Sequence, residues 1–147
     1  MNFLRRRKRQ GQSMVEMAIV VPLFLLVIVG GIIDFGFAFY NLLTLQEHAD
    51  NVAQRSADNN VTNAGAIAAS ATSSLPASLE ASRFQVTVVN KINFTSTIAE
   101  SGWRVTLSYR SRIYTPFYQT MLGLAGSPDI PLSANAFYKI PLNLVNR

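Results

Sequence analysis

The stretch Arg5-Arg6-Arg7-Lys8-Arg9-Gln10-Gly11-Gln12-Ser13-Met14-Val15-Glu16, running directly into the apolar residues Met17 to Ile33, decides the architecture of this chain. Five consecutive cations bias the N-terminus toward the cytoplasmic face of a membrane. The 17 uncharged residues that follow make about 25 Å of helix, the short end for a bilayer span. Asp34 closes the run, and Phe35, Phe37, Phe39 and Tyr40 follow it as an interfacial aromatic belt would. The expected topology is a single pass, N-in and C-out. Pro22 lies inside the span and predicts a bend, because it deletes one backbone hydrogen bond. Gly30, Gly31 and Gly36 are open to two readings, close helix approach or the ordinary tolerance of membrane helices for glycine.

Other N-terminal signals fit less well. A secretory signal peptide has a shorter apolar core that ends in a small-x-small cleavage site. Here Asp34-Phe35-Gly36-Phe37 follows instead. An uncleaved signal anchor matches the topology but gives no account of Gly11 or Glu16.

The net charge of +5 invites a nucleic-acid reading, which the location of the charge opposes. Arg5, Arg6, Arg7, Lys8 and Arg9 are five of the 13 cations, so eight remain against eight anions beyond residue 11. The basicity is a topology signal rather than a nucleic-acid footprint. There is no cysteine and only one histidine, which excludes a disulfide framework, a thiolate nucleophile and cysteine- or histidine-rich metal sites.

Glu16 sits where an ordinary anchor gains nothing from a carboxylate, since charge is costly at the edge of hydrocarbon. Gly11 lies five residues before it, at the polar-to-apolar boundary. A peptidase working at the membrane face needs a small residue before its cut, which Gly11 supplies. Cleavage there creates an α-amine on Gln12, cationic near neutral pH. In a bundle of such helices staggered by about one turn, one subunit's amine meets another's Glu16, and two charges costly in lipid offset each other.

Beyond Asp34 the helical period continues. Phe35, Ala38, Leu42, Leu45, Ala49, Val52 and Ser56 form one stripe at alternating spacings of three and four. One helix is therefore expected from about Ser13 to Ala57, ended by Asn59-Asn60. Its stripe is expected to pack on a sheet of the same chain, with a neighbouring subunit's helix as the alternative. His48, beside Glu47 and Asp50, reads as part of a solvated helix face. Residues 59–83 form an Ala/Ser-rich connector with weak helical character. Strands then follow in Phe84-Gln85-Val86-Thr87-Val88, in the alternation of Trp103, Val105, Leu107, Tyr109 and Ile113, and in Leu132, Ala134, Ala136, Tyr138 and Ile140. Between the last two, Thr115 is placed to cap a short helix opened by Pro116 and closed near Gly123 or Gly126. The expected fold is α+β: a long N-terminal membrane-spanning helix whose amphipathic second half packs on a small antiparallel sheet. The expected segments are a basic leader (1–11), the transmembrane half (12–34), the periplasmic half (35–58), the connector (59–83) and a β domain (84–147).

No catalytic constellation accompanies this pattern: there is no spaced Ser/His/Asp set and no phosphate-binding glycine loop. No cofactor or metal is expected. Arg104, Arg110 and Arg112 form a cationic stripe on one strand face, either solvated or available to a partner.

The N-terminal arrangement resembles a class III signal peptide, the leader of type IV prepilins, in which glycine precedes the cut and the fifth mature residue is glutamate. Gly11-Gln12-Ser13-Met14-Val15-Glu16-Met17-Ala18, Val21-Pro22-Leu23 and Ile33-Asp34-Phe35-Gly36 together resemble the TadE-like family of tight-adherence (Tad) pilus proteins. Val105-Thr106-Leu107-Ser108-Tyr109, Thr115-Pro116-Phe117 and Leu132-Ser133-Ala134 are similar, more loosely, to the C-terminal part of that family. The resemblance implies a minor pilin or pseudopilin, cut by a prepilin peptidase between Gly11 and Gln12, with Glu16 as the recognition and assembly carboxylate. Asp34, Phe35 and Gly36 carry over as a family motif without a derived role. Gln12 departs from the phenylalanine common at the cut. Length favours a minor component over a major pilin. Implied partners are the peptidase, major and minor pilin subunits, the inner-membrane assembly platform and the lipid bilayer. A pseudopilin of a secretion or DNA-uptake machine, and an uncleaved membrane-anchored periplasmic binding domain, are the alternatives.

Overall fold

The structure, a computed structural model, describes residues 3–59, 61–93, 101–126 and 128–140, without the side chains of 3–12, Val88 and Asn93. The chain divides into two compact units, one of residues 1–35 with 113–128 and one of residues 36–112 with 129–147. The residues of the expected β segment 84–147 are thus shared between both.

Helix α1 runs from Phe3 to Asp58 and contributes to each unit. It begins well before the expected Ser13, in keeping with the good helix formers Arg, Lys and Gln that precede the span. The helix continues through Pro22. At its end the Asn59 amide donates to the Arg55 carbonyl at 3.1 Å and the Asn59 side chain to the same oxygen at 2.9 Å. One terminal carbonyl is met twice in this way, and the next, of Ser56, accepts the Val61 amide at 3.0 Å.

In the second unit a three-stranded antiparallel sheet has the order β1-β2-β3, with β1 at Phe84–Asn93, β2 at Ser101–Arg112 and β3 at Asp129–Lys139. The register Val86↔Leu107 followed by Val88↔Thr106 makes Thr87 the extra residue of a β-bulge. Alternation along β2 separates two faces. Trp103, Val105, Leu107 and Tyr109 are buried, while Arg104, Arg110 and Arg112 are exposed. The buried face joins Leu45, Ala49, Val52, Ala53 and Ala57 of α1 in one core. From Leu45 onward the stripe on α1 therefore packs on the chain's own sheet, as its period predicts, while Phe35 at its start is 52% exposed. Polar groups tie the same layers together: Asn41 Nδ2 donates to Ser111 Oγ at 3.0 Å, both side chains buried.

The connector folds more fully than its composition predicts. Helix α2, Ala64–Ser73, is opened by Asn63, whose side chain accepts from the Gly65 amide at 2.8 Å. It buries Ile67 and Ala71 in the same core. A short 3-10 turn at Ala81–Arg83 leads into β1, and Arg83 bonds both Asp129 at 2.8 Å and Glu80 at 3.0 Å. The hydrogen bond to Asp129 holds the guanidinium pKa above its ordinary value.

His48 corrects the expectation of a solvated face. It is 5% exposed, donates from Nε2 to the Ala71 carbonyl at 2.8 Å, and meets the Phe84 ring edge-on at 5.9 Å. The reason is α2, which brings an acceptor over this position. A buried imidazole with its N–H satisfied carries little desolvation cost.

Candidate functional site

Two features of the first unit concentrate the chemistry that the sequence singles out. The first is the apolar length of α1. Met14, Met17, Ile19, Val20, Leu23, Phe24, Leu25, Leu26 and Ile32 are each more than half exposed. From Ser13 to Leu26 the helix is exposed on every side, and so largely apolar a surface is built for hydrocarbon or for other helices. From Val27 to Asp34 one face, with Gly30, Gly31 and Asp34, is buried. Among the described residues it is the one helix long and apolar enough to cross a membrane. Glu16 is exposed near the start of this stretch. Gly11 and Gln12 fall within α1; the side chains of Gln12 and of Arg5, Arg6, Arg7, Lys8 and Arg9 lie outside what the structure describes.

The second feature was not legible in sequence. Asp34 is 2% exposed, and its carboxylate is fully engaged. Oδ1 accepts the backbone N–H of Tyr114 at 2.8 Å and of Thr115 at 3.2 Å. Oδ2 accepts the Thr115 hydroxyl. Helix α3, Pro116–Leu124, starts immediately after these residues. Thr115 does occupy the cap position, but its side chain makes no bond to the α3 backbone. Its hydroxyl goes to Asp34 instead. The carboxylate therefore holds, from another helix, the turn that leads into α3, near the positive end of the α3 dipole.

Within α3, Tyr118 reaches α1 as well. Tyr118 donates its hydroxyl to the Val27 carbonyl at 3.0 Å and meets the Phe35 ring edge-on at 6.4 Å. The glycine pair makes room for this. A Cβ on Gly30 would lie 3.3 Å from Thr115 Cγ2, and one on Gly31 would lie 2.8 Å from the Tyr118 hydroxyl. Of the two readings open for these glycines, close approach is the one realised here. Gly36 has nothing within 4 Å of its would-be Cβ.

The remaining candidates stay apart from this site. Arg104, Arg110 and Arg112 are exposed on the outer sheet face in the second unit. Among the described residues no group of three or more His, Asp or Glu side chains is placed to hold a metal ion.

Residues 11–69 match the family model described as TadE-like protein. This N-terminal segment is TadE-like. The match takes in Gly11, Gln12, Glu16, Pro22 and the Asp34-Phe35-Gly36 triplet, together with all of α1 beyond residue 11. No curated protein and no solved structure matches the chain. The TadE-like segment points to a Tad-pilus-associated protein, and its exposed apolar helix fits a membrane anchor.

Proposed function

We propose that this protein is a minor pilin or pseudopilin of a Tad-type pilus, cut by a prepilin peptidase after Gly11 and assembled through α1. One observation carries the reading: the TadE-like segment begins at residue 11 and leads, past the carboxylate Glu16, into a helix whose apolar surface is exposed on every side as far as Leu26. A plain anchor requires the apolar surface but not the glycine and carboxylate ahead of it. A helix that leaves lipid for a bundle of its own kind makes use of all three. Before cleavage the chain sits in the bacterial inner membrane, with Arg5 to Arg9 in the cytoplasm and the remainder outside it. Afterward the Gln12 amine of one subunit pairs with Glu16 of another as the helices pack. Contribution to surface adhesion follows from incorporation into the filament. The exposed Arg104, Arg110 and Arg112 face is the surface available to a further partner.

The test is intact mass of the protein from a host carrying its peptidase. The mature chain begins at Gln12, and Gly11→Val leaves full-length precursor in the membrane. A native N-terminus at Met1, or beyond Ile33, would overturn the reading.

A further inference from the structure

We propose that the Ile113–Pro128 excursion is a second membrane-seated element, in which α3 lies in the outer leaflet against the end of the α1 span, with Asp34 as its pin. The inference rests on the reading of α1 as a span.

Depth is the first observation. Tyr118 reaches the carbonyl of Val27, seven residues before Asp34. That is about 10 Å along the helix, inside the apolar run that Asp34 closes. An element bonded there shares whatever surrounds Val27. Composition is the second. From Ile113 through Pro128 no residue is charged. Phe117 and Leu122 are half-buried, while Met121 is 54% and Leu124 86% exposed. Tyr118 joins this helix to α1 at Val27 and Phe35.

The third observation concerns hydrogen bonds. Hydrocarbon tolerates backbone and side-chain polar groups only when the protein itself satisfies them. Here the Tyr114 and Thr115 amides and the Thr115 hydroxyl are taken by Asp34. Pro116 has no amide hydrogen to satisfy. Tyr118 bonds Val27, Gln119 Nε2 donates to the Ile113 carbonyl at 2.6 Å, and the Thr120 hydroxyl to the Pro116 carbonyl at 2.8 Å. The polar groups leading into α3 are thus paired within the protein, as a segment seated in lipid requires. Asp34, otherwise a carboxylate at the edge of hydrocarbon, is matched by three donors and a helix N-terminus.

The chain has no cysteine, so single-cysteine variants of the full-length protein report position cleanly. Met121→Cys and Leu124→Cys are tested in phosphatidylethanolamine/phosphatidylglycerol vesicles, with Ile28→Cys as the span reference and Ser133→Cys as the exposed reference on β3. Labelling by a water-soluble maleimide should be roughly tenfold or more slower at 121 and 124 than at 133, because the thiolate does not form in lipid. Fluorophores attached at 121 and 124 in detergent should be quenched, after reconstitution, by lipids carrying a shallow acyl-chain spin label. Adding Asp34→Ala to Met121→Cys should raise its maleimide rate toward that of Ser133→Cys; an unchanged rate would remove Asp34 as the pin. Quenching at 28 without quenching at 121 and 124 would overturn the proposal and leave the span intact. Absence of quenching at 28 would bring down the span reading itself, and the proposal with it. Shielding of 121 from lipid together with copy-to-copy crosslinking through it would overturn the proposal in favour of a second subunit on this face.

Discussion

The Asp34 carboxylate accepts the backbone N–H of Tyr114 at 2.8 Å across 80 residues of sequence. Hydrogen bonds to a charged acceptor contribute about 1.5–3 kcal/mol each, and orphaned buried donors cost a similar amount. Asp34→Ala is therefore expected to speed amide exchange at Tyr114 and Thr115 by at least about tenfold, the equivalent of 1.4 kcal/mol. Asp34→Asn, which keeps one acceptor oxygen without charge, should fall between. Hydrogen exchange of the reconstituted protein reads both, and unchanged protection at those two amides would deny the carboxylate its structural role.

Gly31 and Gly36 make a matched pair of tests on one helix. A Cβ at Gly31 lies 2.8 Å from the Tyr118 hydroxyl, while one at Gly36 meets nothing within 4 Å. Gly31→Ala should displace Tyr118 from Val27 and loosen the first unit by about 1 kcal/mol, the net worth of a hydrogen bond. Gly36→Ala should instead stabilise the helix by up to about 1 kcal/mol through propensity. Tyr118→Phe combined with Gly31→Ala should cost less than the sum of the two, as coupled neighbours do. Exchange protection across residues 113–124 separates these outcomes.

In the second unit, the Gly102 position is closed to any side chain. An added Cβ would collide with the Phe137 ring and lie 2.6 Å from the Tyr138 carbonyl oxygen. Gly102→Ala should destabilise the sheet by about 1–3 kcal/mol, the usual cost of overpacking. Trp103, the single tryptophan and 2% exposed, reports the denaturant midpoint by its fluorescence.

His48→Ala leaves the Ala71 carbonyl without its donor and empties part of the core beside Phe84. The expected loss is about 2–4 kcal/mol from cavity and lost hydrogen bond together. The same fluorescence midpoint measures it. A change below half a kcal/mol, the range of ordinary surface substitutions, would return His48 to the solvated face.

Glu16→Ala separates processing from assembly. Removing the charge makes membrane insertion cheaper, so targeting should survive, and cleavage should survive because Gly11 is kept. Incorporation should fail, since a neighbour's Gln12 amine stays unpaired in an apolar bundle. Pilus counts and co-purification with the major pilin, beside a blot for the processed form, give the result. Wild-type piliation would remove the assembly role; a cleavage defect alone would make Glu16 only a recognition element.

How much was legible follows from how far each signal reaches along the chain. The stripe from Leu45 to Val52 and the alternation from Trp103 to Tyr109 are local periods, and both meet in the core they imply. Thr115 and Pro116 announce the start of α3 by local chemistry. The use of Asp34 could not be read this way, because its partners lie 80 residues away and the triplet around it is silent about them. The Thr115 hydroxyl went to that distant carboxylate instead of its own helix for the same reason. His48 misled because Glu47 and Asp50 flank it, and flanking residues on a helix point elsewhere. Its acceptor comes from α2, whose Ala/Ser composition gives little sign of docking.

The bare apolar surface of α1 also restricts how the chain can travel. From Met17 to Ile33, a dozen large apolar side chains are exposed. Each costs about 1.5–3 kcal/mol to place in water, on the order of 20 kcal/mol together. A free aqueous form would be vanishingly rare at such a penalty. Any departure from the bilayer must then be a direct exchange, each lipid contact surrendered only as a protein contact takes its place. On the proposed pilin reading, subunits so constrained would enter or leave a filament only where it touches the membrane.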